Sequence, residues 1–120
     1  MVSENKRIRD NRRRSLYLIN SMRPLKIGSV KISKANTDEH ELMKYLICRQ
    51  LCKEGKQFIT ECYFKNLKRA DIVCLDDLKV IEILGSETEK QCKEKIKSYP
   101  DEFEIIMVLA NQPFHEKLIY

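Results

Sequence analysis

Residues 69–84 read Arg-Ala-Asp-Ile-Val-Cys-Leu-Asp-Asp-Leu-Lys-Val-Ile-Glu-Ile-Leu. Two runs of β-branched and apolar residues, Arg69 to Leu75 and Lys79 to Leu84, flank the pair Asp76-Asp77, a pattern that predicts two strands joined by a tight turn. Apolar residues at successive positions mean that both faces of these strands are covered. One acid interrupts each run: Asp71 in Ala-Asp-Ile-Val-Cys and Glu82 in Val-Ile-Glu-Ile-Leu. Acids are depleted from strands and are almost never buried without a partner. With Asp76-Asp77 as a two-residue loop, Leu75 pairs with Leu78, Val73 with Val80 and Asp71 with Glu82. A four-residue loop, Leu75 to Leu78, keeps the same register. Directly opposed residues hold their Cβ atoms roughly 4.5–5.5 Å apart, where like charges repel. A divalent cation with oxygen ligands, Mg2+ or Mn2+, would offset that repulsion, with the carbonyl of Ile83 as a further ligand. The alternative is an arginine or lysine that satisfies both acids, such as Arg69, two positions from Asp71 on the same strand face.

Outward from this hairpin, Gln57 to Phe64 is rich in Phe, Ile, Thr and Tyr and predicts another strand. Before it, Leu42, Met43, Leu46, Ile47 and Leu51 recur at helical spacing over about residues 38–53. Asn36-Thr37-Asp38 supplies the cap and Gly55 the stop. After the hairpin, Ser86-Glu87-Thr88-Glu89 fits a capping box. Cys92, Ile96 and Tyr99 form the buried stripe of a second helix, ended by Pro100, and Phe103 to Leu109 reads as an interior strand. The expected fold class is therefore α/β, a mixed sheet flanked by helices. The order is helix, three meandering strands, helix and strand, with the last strand returning parallel to the third through a right-handed crossover.

Charge divides the chain at about residue 34. Residues 1–34 hold ten Lys/Arg against two acids, and residues 35–120 hold thirteen against sixteen. A basic N-terminal arm, with at most a short extended piece from Leu25 to Ile32, is thus expected to precede a mildly acidic domain over residues 35–120. Arg7, Arg9, Arg12, Arg13 and Arg14 form the densest cluster, of the kind that neutralises phosphates. Any solvated basic terminus would carry the same pattern.

The 120 residues suit one domain, and 42% hydrophobic with 34% charged residues is a globular composition. The apolar runs are far short of the roughly 20 residues that span a bilayer. Met1 to Asn20 has no apolar stretch of the secretory kind. Five cysteines, Cys48, Cys52, Cys62, Cys74 and Cys92, are an odd number set in apolar surroundings. An intracellular, reducing location with free thiols is expected, and Cys48-x-x-x-Cys52 lacks the second pair that structural zinc needs. His40 and His115 form no metal or triad pattern. No Gly-x-Ser-x-Gly elbow and no phosphate-cradling Gly-rich loop occurs.

From about residue 38 to residue 109, a helix with an acid, a strand, Arg-Ala-Asp-Ile, a hairpin and Val-Ile-Glu-Ile resemble the PD-(D/E)XK, or restriction-endonuclease-like, nucleases. That superfamily includes type II restriction enzymes, archaeal Holliday junction resolvases and small phage and archaeal proteins. The resemblance implies an αβββαβ core and a Mg2+-dependent endonuclease acting on DNA, branched or junction DNA included. It also implies Asp71 and Glu82 as metal ligands, with Glu41, or else Glu39, completing the site from the first helix. The lysine such nucleases carry two residues after the glutamate falls on Leu84 here. Lys44, three residues after Glu41, and Arg69 are candidates for its role, with Lys90 behind them. The arm and Arg69 would hold the nucleic-acid backbone without reading bases. Symmetric cutting would favour a homodimer, through Phe103 to Leu109 or the tail from Pro113 to Tyr120. The rivals are a nuclease fold that binds nucleic acid without cutting it and a structural protein that packages it.

Overall fold

The hairpin forms in the expected register. In the computed structural model, which describes residues 4–19, 25–85 and 89–120, β2 (Arg69–Cys74) and β3 (Lys79–Leu84) run antiparallel, pairing Ile72 with Ile81, Val73 with Val80 and Cys74 with Lys79. The four-residue turn closes with Leu78 in the left-handed region, φ 51°. β1 (Phe58–Tyr63) pairs antiparallel with β2, and β4 (Glu104–Leu109) pairs parallel with β3, giving a four-stranded mixed sheet in the order β1-β2-β3-β4. β4 is therefore an edge strand, not an interior one. Met107 and Leu109 are exposed. A continuous apolar run does not distinguish the two positions when a parallel neighbour covers only one side.

Helices lie on both faces. α2 (Asp38–Lys53) starts at Thr37, whose side chain accepts the His40 N–H at 3.2 Å, and ends at Gly55, φ 72°, with the Lys56 N–H bonded to the Leu51 carbonyl. Met43, Ile47, Cys48 and Leu51 of α2 pack on Phe58, Ile72, Ile81, Ile83 and Val108, with Ile119 of a closing 3-10 turn, Glu116–Ile119. Leu42 is 59% exposed, so it leaves the predicted stripe. Across the sheet, Ile59, Phe64, Val73 and Val80 pack with Tyr99 and Phe103 and with Leu16, Ile19 and Ile96. Ile96 ends α3 (Glu89–Ile96). The capping box at Ser86 to Glu89 lies largely outside the described residues; its predicted stripe, Cys92 and Tyr99, is buried. No helix among the described residues is long and apolar enough to cross a membrane. The five cysteines are free thiols; four are buried and Cys52 is exposed, which splits the Cys48–Cys52 pair between core and solvent.

The basic N-terminal segment departs from the expected arm, because Glu4–Leu18 is a helix, α1. Arg, Lys and Leu favour helix, and the docked side carries polar anchors in place of an apolar stripe. Asn11 donates to the Asp76 carbonyl at 2.8 Å, and Ser15 to the Leu75 carbonyl at 3.2 Å. Arg12 grips the Asp76 carboxylate with Nε and a terminal nitrogen, at 2.7 and 2.9 Å. The segment expected to be extended, Leu25 to Ile32, lies beside the outer edge of β1 without joining the sheet as a strand. Gly28, φ 82°, donates to the Phe58 carbonyl, and the Thr60 hydroxyl bonds Lys31 N–H and the Ser29 carbonyl.

Asp76 also accepts the Gln57 N–H at 3.1 Å, so it ties α1, the start of β1 and the hairpin turn together. We expect Asp76→Ala to cost about 2 kcal/mol and Arg12→Ala about 1 kcal/mol or less, because that arginine is partly exposed. Urea denaturation monitored by circular dichroism measures both, and equal losses would show that the Asp76 carboxylate acts through Arg12 alone and that its bond to Gln57 contributes nothing.

Candidate active site

Two paired strands leave their backbone groups to one another until something else takes them. The β2–β3 ladder stops at Ile72–Ile81, and beyond it the carboxylates of Asp71 and Glu82 accept the backbone N–H groups. Asp71 Oδ2 accepts from Ile83 N–H at 2.8 Å, and Glu82 Oε1 accepts from Asp71 N–H at 3.2 Å. The register thus brings both acids to one seam in the sheet, where they are 8% and 1% exposed.

Each acid is held from a different helix. His40 of α2 sets Nε2 3.4 Å from Asp71 Oδ2 and Nδ1 3.0 Å from Glu41 Oε1. From the other side, the Tyr99 hydroxyl donates to Glu82 Oε1 at 2.7 Å, and Lys95 Nζ of α3 stands 3.3 Å from Glu82 Oε2. Both contacts of Asp71 end on Oδ2, so Oδ1 is its uncommitted oxygen among the described residues.

A third acid lies beside the pair. Glu61 of β1 sits opposite Asp71, between the pairs Thr60–Ile72 and Cys62–Ala70. Its φ of 47° is unusual for a non-glycine residue inside a strand. Regular alternation fails here: Ala70 joins Val73 and Leu75 in one core cluster, and Cys62 joins Ile59. Glu61 turns to α2, where Lys44 Nζ meets Glu61 Oε1 at 2.8 Å, Glu41 Oε2 at 3.0 Å and the Lys31 carbonyl at 3.0 Å. Lys44 is 0% exposed, and these three acceptors match the three N–H donors of an ammonium. Glu61 Oε2 is buried without a hydrogen bond, though Arg69 Nε lies 3.2 Å away as an ion-pair partner. Glu41 is further fixed by Asn36 and by the Ser33 N–H.

The electrostatics follow from this packing. Burial first, and then the charge of Asp71, push Glu82 up to about 7. Burial also works against ionised Asp71, yet His40 and the Ile83 N–H outweigh it and hold Asp71 below the usual carboxylate range. Burial opposes the charge on His40, but Asp71 and Glu41 reverse that and raise its pKa. Glu41 is lowered by Asn36, Lys44 and Ser33 against its own desolvation.

Of the residues expected at the site, Asp71 and Glu82 meet, and Ile83 enters through its N–H. Glu41 reaches Asp71 only through His40, while Glu39 is exposed. Lys44 serves Glu41 and Glu61, not the Asp71–Glu82 pair, and Arg69 serves Glu61. Leu84 is buried and Lys90 is exposed. Arg7, Arg9, Arg13 and Arg14 are exposed on α1, with Arg14 paired to Glu102, whereas Arg12 is spent on docking. Sequence reasoning missed His40, Glu61, Lys95 and Tyr99. A signal existed, since His40 and Lys44 fall on the stripe of Met43, Ile47 and Leu51, and Lys95 falls on that of Cys92, Ile96 and Tyr99. Among the described residues, no three His, Cys, Asp or Glu side chains stand in an arrangement that holds a metal ion.

Two outcomes test this network. A carboxyl group raised from 4.5 to about 7 on folding binds its proton more tightly in the native state. It therefore stabilises the fold fully below pH 4.5 and loses that contribution as pH rises through 7. Glu82→Gln should remove the loss, so its stability relative to wild type rises by about 2–3 kcal/mol between those limits; a pH-independent difference in urea midpoints would refute the assignment. Lys44→Met leaves Glu41 and Glu61 facing each other and should cost about 3 kcal/mol or more, read in the same denaturation experiment.

No family model matches the chain, and comparison with curated proteins and with solved structures finds no match either.

Proposed function

We propose that this chain is a nuclease-type domain that hydrolyses phosphodiester bonds of nucleic acid, with a divalent cation held at the Asp71–Glu82 seam. The observation that carries the proposal is the meeting of two buried carboxylates where the β2–β3 ladder ends, with both contacts of Asp71 among the described residues on Oδ2. The order helix, three antiparallel strands, helix and parallel strand supports the restriction-endonuclease-like core that the resemblance implies. The donor chemistry fits a hard cation such as Mg2+, for which carboxylate and carbonyl oxygens are the ordinary ligands. Charge counting agrees: among the described residues, Glu41, Glu61, Asp71 and Glu82 pair with three permanently charged side chains, Lys44, Arg69 and Lys95.

Asp71 and Glu82 would hold the ion, with the Ile83 carbonyl as a further donor. When bound, a divalent cation supplies Lewis-acid activation of water and phosphate. The protein's own part is then electrostatic. Lys95 is 37% exposed while touching Glu82, so it can meet an incoming phosphate and offset charge that develops on it, the task for which Leu84 has no side-chain charge. His40 fixes the orientation of Asp71, as a hydrogen-bonded neighbour does for a ligand. Tyr99 does the same for Glu82.

A second reading has its own support. His40, Tyr99 and Lys95 already satisfy most of the carboxylate oxygens, which suits a nuclease fold that binds nucleic acid without cutting it.

The deciding experiment is cleavage of labelled linear, branched and single-stranded DNA with Mg2+ or Mn2+. Wild type should cut, and chelation should abolish cutting. Asp71→Asn and Glu82→Gln should lose roughly 10²–10³-fold or more, and Lys95→Met a smaller factor of about 10–10². Salt-sensitive binding with no cutting by the wild type would replace this proposal with the binding-only reading.

A further inference from the structure

The basic N-terminal segment is not an independent arm, and this changes where a polyanion would bind. Leu16 and Ile19 pack in the same core cluster as Ile96, Tyr99 and Phe103, so α1 and α3 cover one face of the sheet and α2 covers the other. Arg14 reaches Glu102, just beyond α3, and Asn66 bonds the Ser98 carbonyl, which stitches this face together.

Charge follows the same division. Residues 4–18 carry six Lys/Arg against two acids, and residues 89–97 carry four against two, whereas residues 38–53 of α2 carry three against three. The α1 cations Arg7, Arg9 and Arg13 are exposed, and so are Lys90, Lys93 and Lys97 of the α3 region. Those lysines recur at helical spacing and, with Glu94, line a shallow groove of about 460 Å³. They span roughly 10 Å along the helix axis, about three base-pair rises of 3.4 Å. Lys95, between them in sequence, turns inward to Glu82. One helix therefore presents lysines outward and ends its inward side on the carboxylate seam.

We propose that the nucleic-acid backbone lies across the face formed by α1 and α3, with Lys90, Lys93 and Lys97 as phosphate contacts on the outward side of α3 and Arg9 and Arg13 extending the track. This rests on the nucleic-acid reading above and adds the surface, which the sequence had assigned to the N-terminal arginines and Arg69. Contacts of this kind read charge and carry no sequence information. Each phosphate neutralised on a duplex contributes about 0.9 to the slope of log affinity against log salt.

The test is fluorescence anisotropy with a labelled duplex of arbitrary sequence over a salt series. It compares wild type, the triple variant Lys90→Gln/Lys93→Gln/Lys97→Gln, the pair Arg9→Gln/Arg13→Gln, and Arg49→Gln/Lys53→Gln on α2 as the opposite-face control. All altered side chains are exposed, and unchanged thermal unfolding verifies the fold. The triple variant should lower the slope by about two to three units and weaken binding ten-fold or more, while the α2 control leaves both unchanged. A triple variant that binds like the control overturns the inference, and a wild type that binds no nucleic acid overturns it together with the reading beneath it. Binding that depends on these lysines but is accompanied by no cleavage upholds the surface while removing the nuclease.

Discussion

Four carboxylates, Glu41, Glu61, Asp71 and Glu82, are packed in and beside the centre of a small sheet, and the surrounding structure is arranged around neutralising them. Withdrawing an ion from water costs several kcal/mol even after relaxation, and a whole domain retains only about 5–15 kcal/mol of net stability. The compensation therefore draws on nearly every element. α2 contributes His40 and Lys44, β2 contributes Arg69, α3 contributes Lys95, and the residue after Ser98 contributes the Tyr99 hydroxyl. Even the segment before α2 is recruited, through the Lys31 carbonyl, the Ser33 N–H and Asn36. An apolar core of the same shape would need none of this. The expense of the arrangement is itself a reason to look for chemistry at the seam.

The backbone bears part of the load. Glu61 adopts a left-handed conformation inside β1, of the sort that costs of order 1–3 kcal/mol and persists where surroundings over-determine it. Its effect is visible in the packing, because Cys62 and Ile59, three residues apart, join the same core cluster when strict alternation would separate them. Ala70 and Val73 do likewise on β2. The two neighbouring strands thus change phase together, which frees Glu61 and Asp71 to turn toward α2 while the apolar residues on either side remain in the core.

This phase change also marks the limit of what the residues could reveal. The hairpin register was legible because Asp76-Asp77 sits between two runs whose apolar patterns agree on one pairing. The order of helices and strands was legible from Leu42 to Leu51, from Phe103 to Leu109 and from the breakers between them. The docking of α1 was not, since Asn11, Arg12 and Ser15 occupy the positions where an apolar stripe would have announced a buried side. Nor was the partnership of Lys95 and Glu82, although a lysine on the stripe of Cys92, Ile96 and Tyr99 is the helical counterpart of an acid in an apolar strand. A charge at a core position asks for an opposite charge at another, and pairing such anomalies across elements would have joined His40 to Asp71, Lys44 to Glu61 and Lys95 to Glu82.

The incompleteness of the compensation decides what the seam can do. Among the described residues, Lys44, Arg69 and Lys95 pair with these carboxylates; burial and Asp71 raise Glu82, and Asp71 and Glu41 raise His40, so both hold a proton more tightly than usual. On the proposed reading, a divalent cation would bring two positive charges to this cluster of acids. Lys95, at the seam, is partly exposed, whereas Lys44 is enclosed by its three acceptors, so Lys95 is the cation that would have room to move if an ion were held there. Lys95 lies on the inward side of α3, opposite the face that carries the exposed Lys90, Lys93 and Lys97, so one helix presents positive charge on two sides. On the proposed reading, the side chain that neutralises Glu82 would also be the one that meets a phosphate.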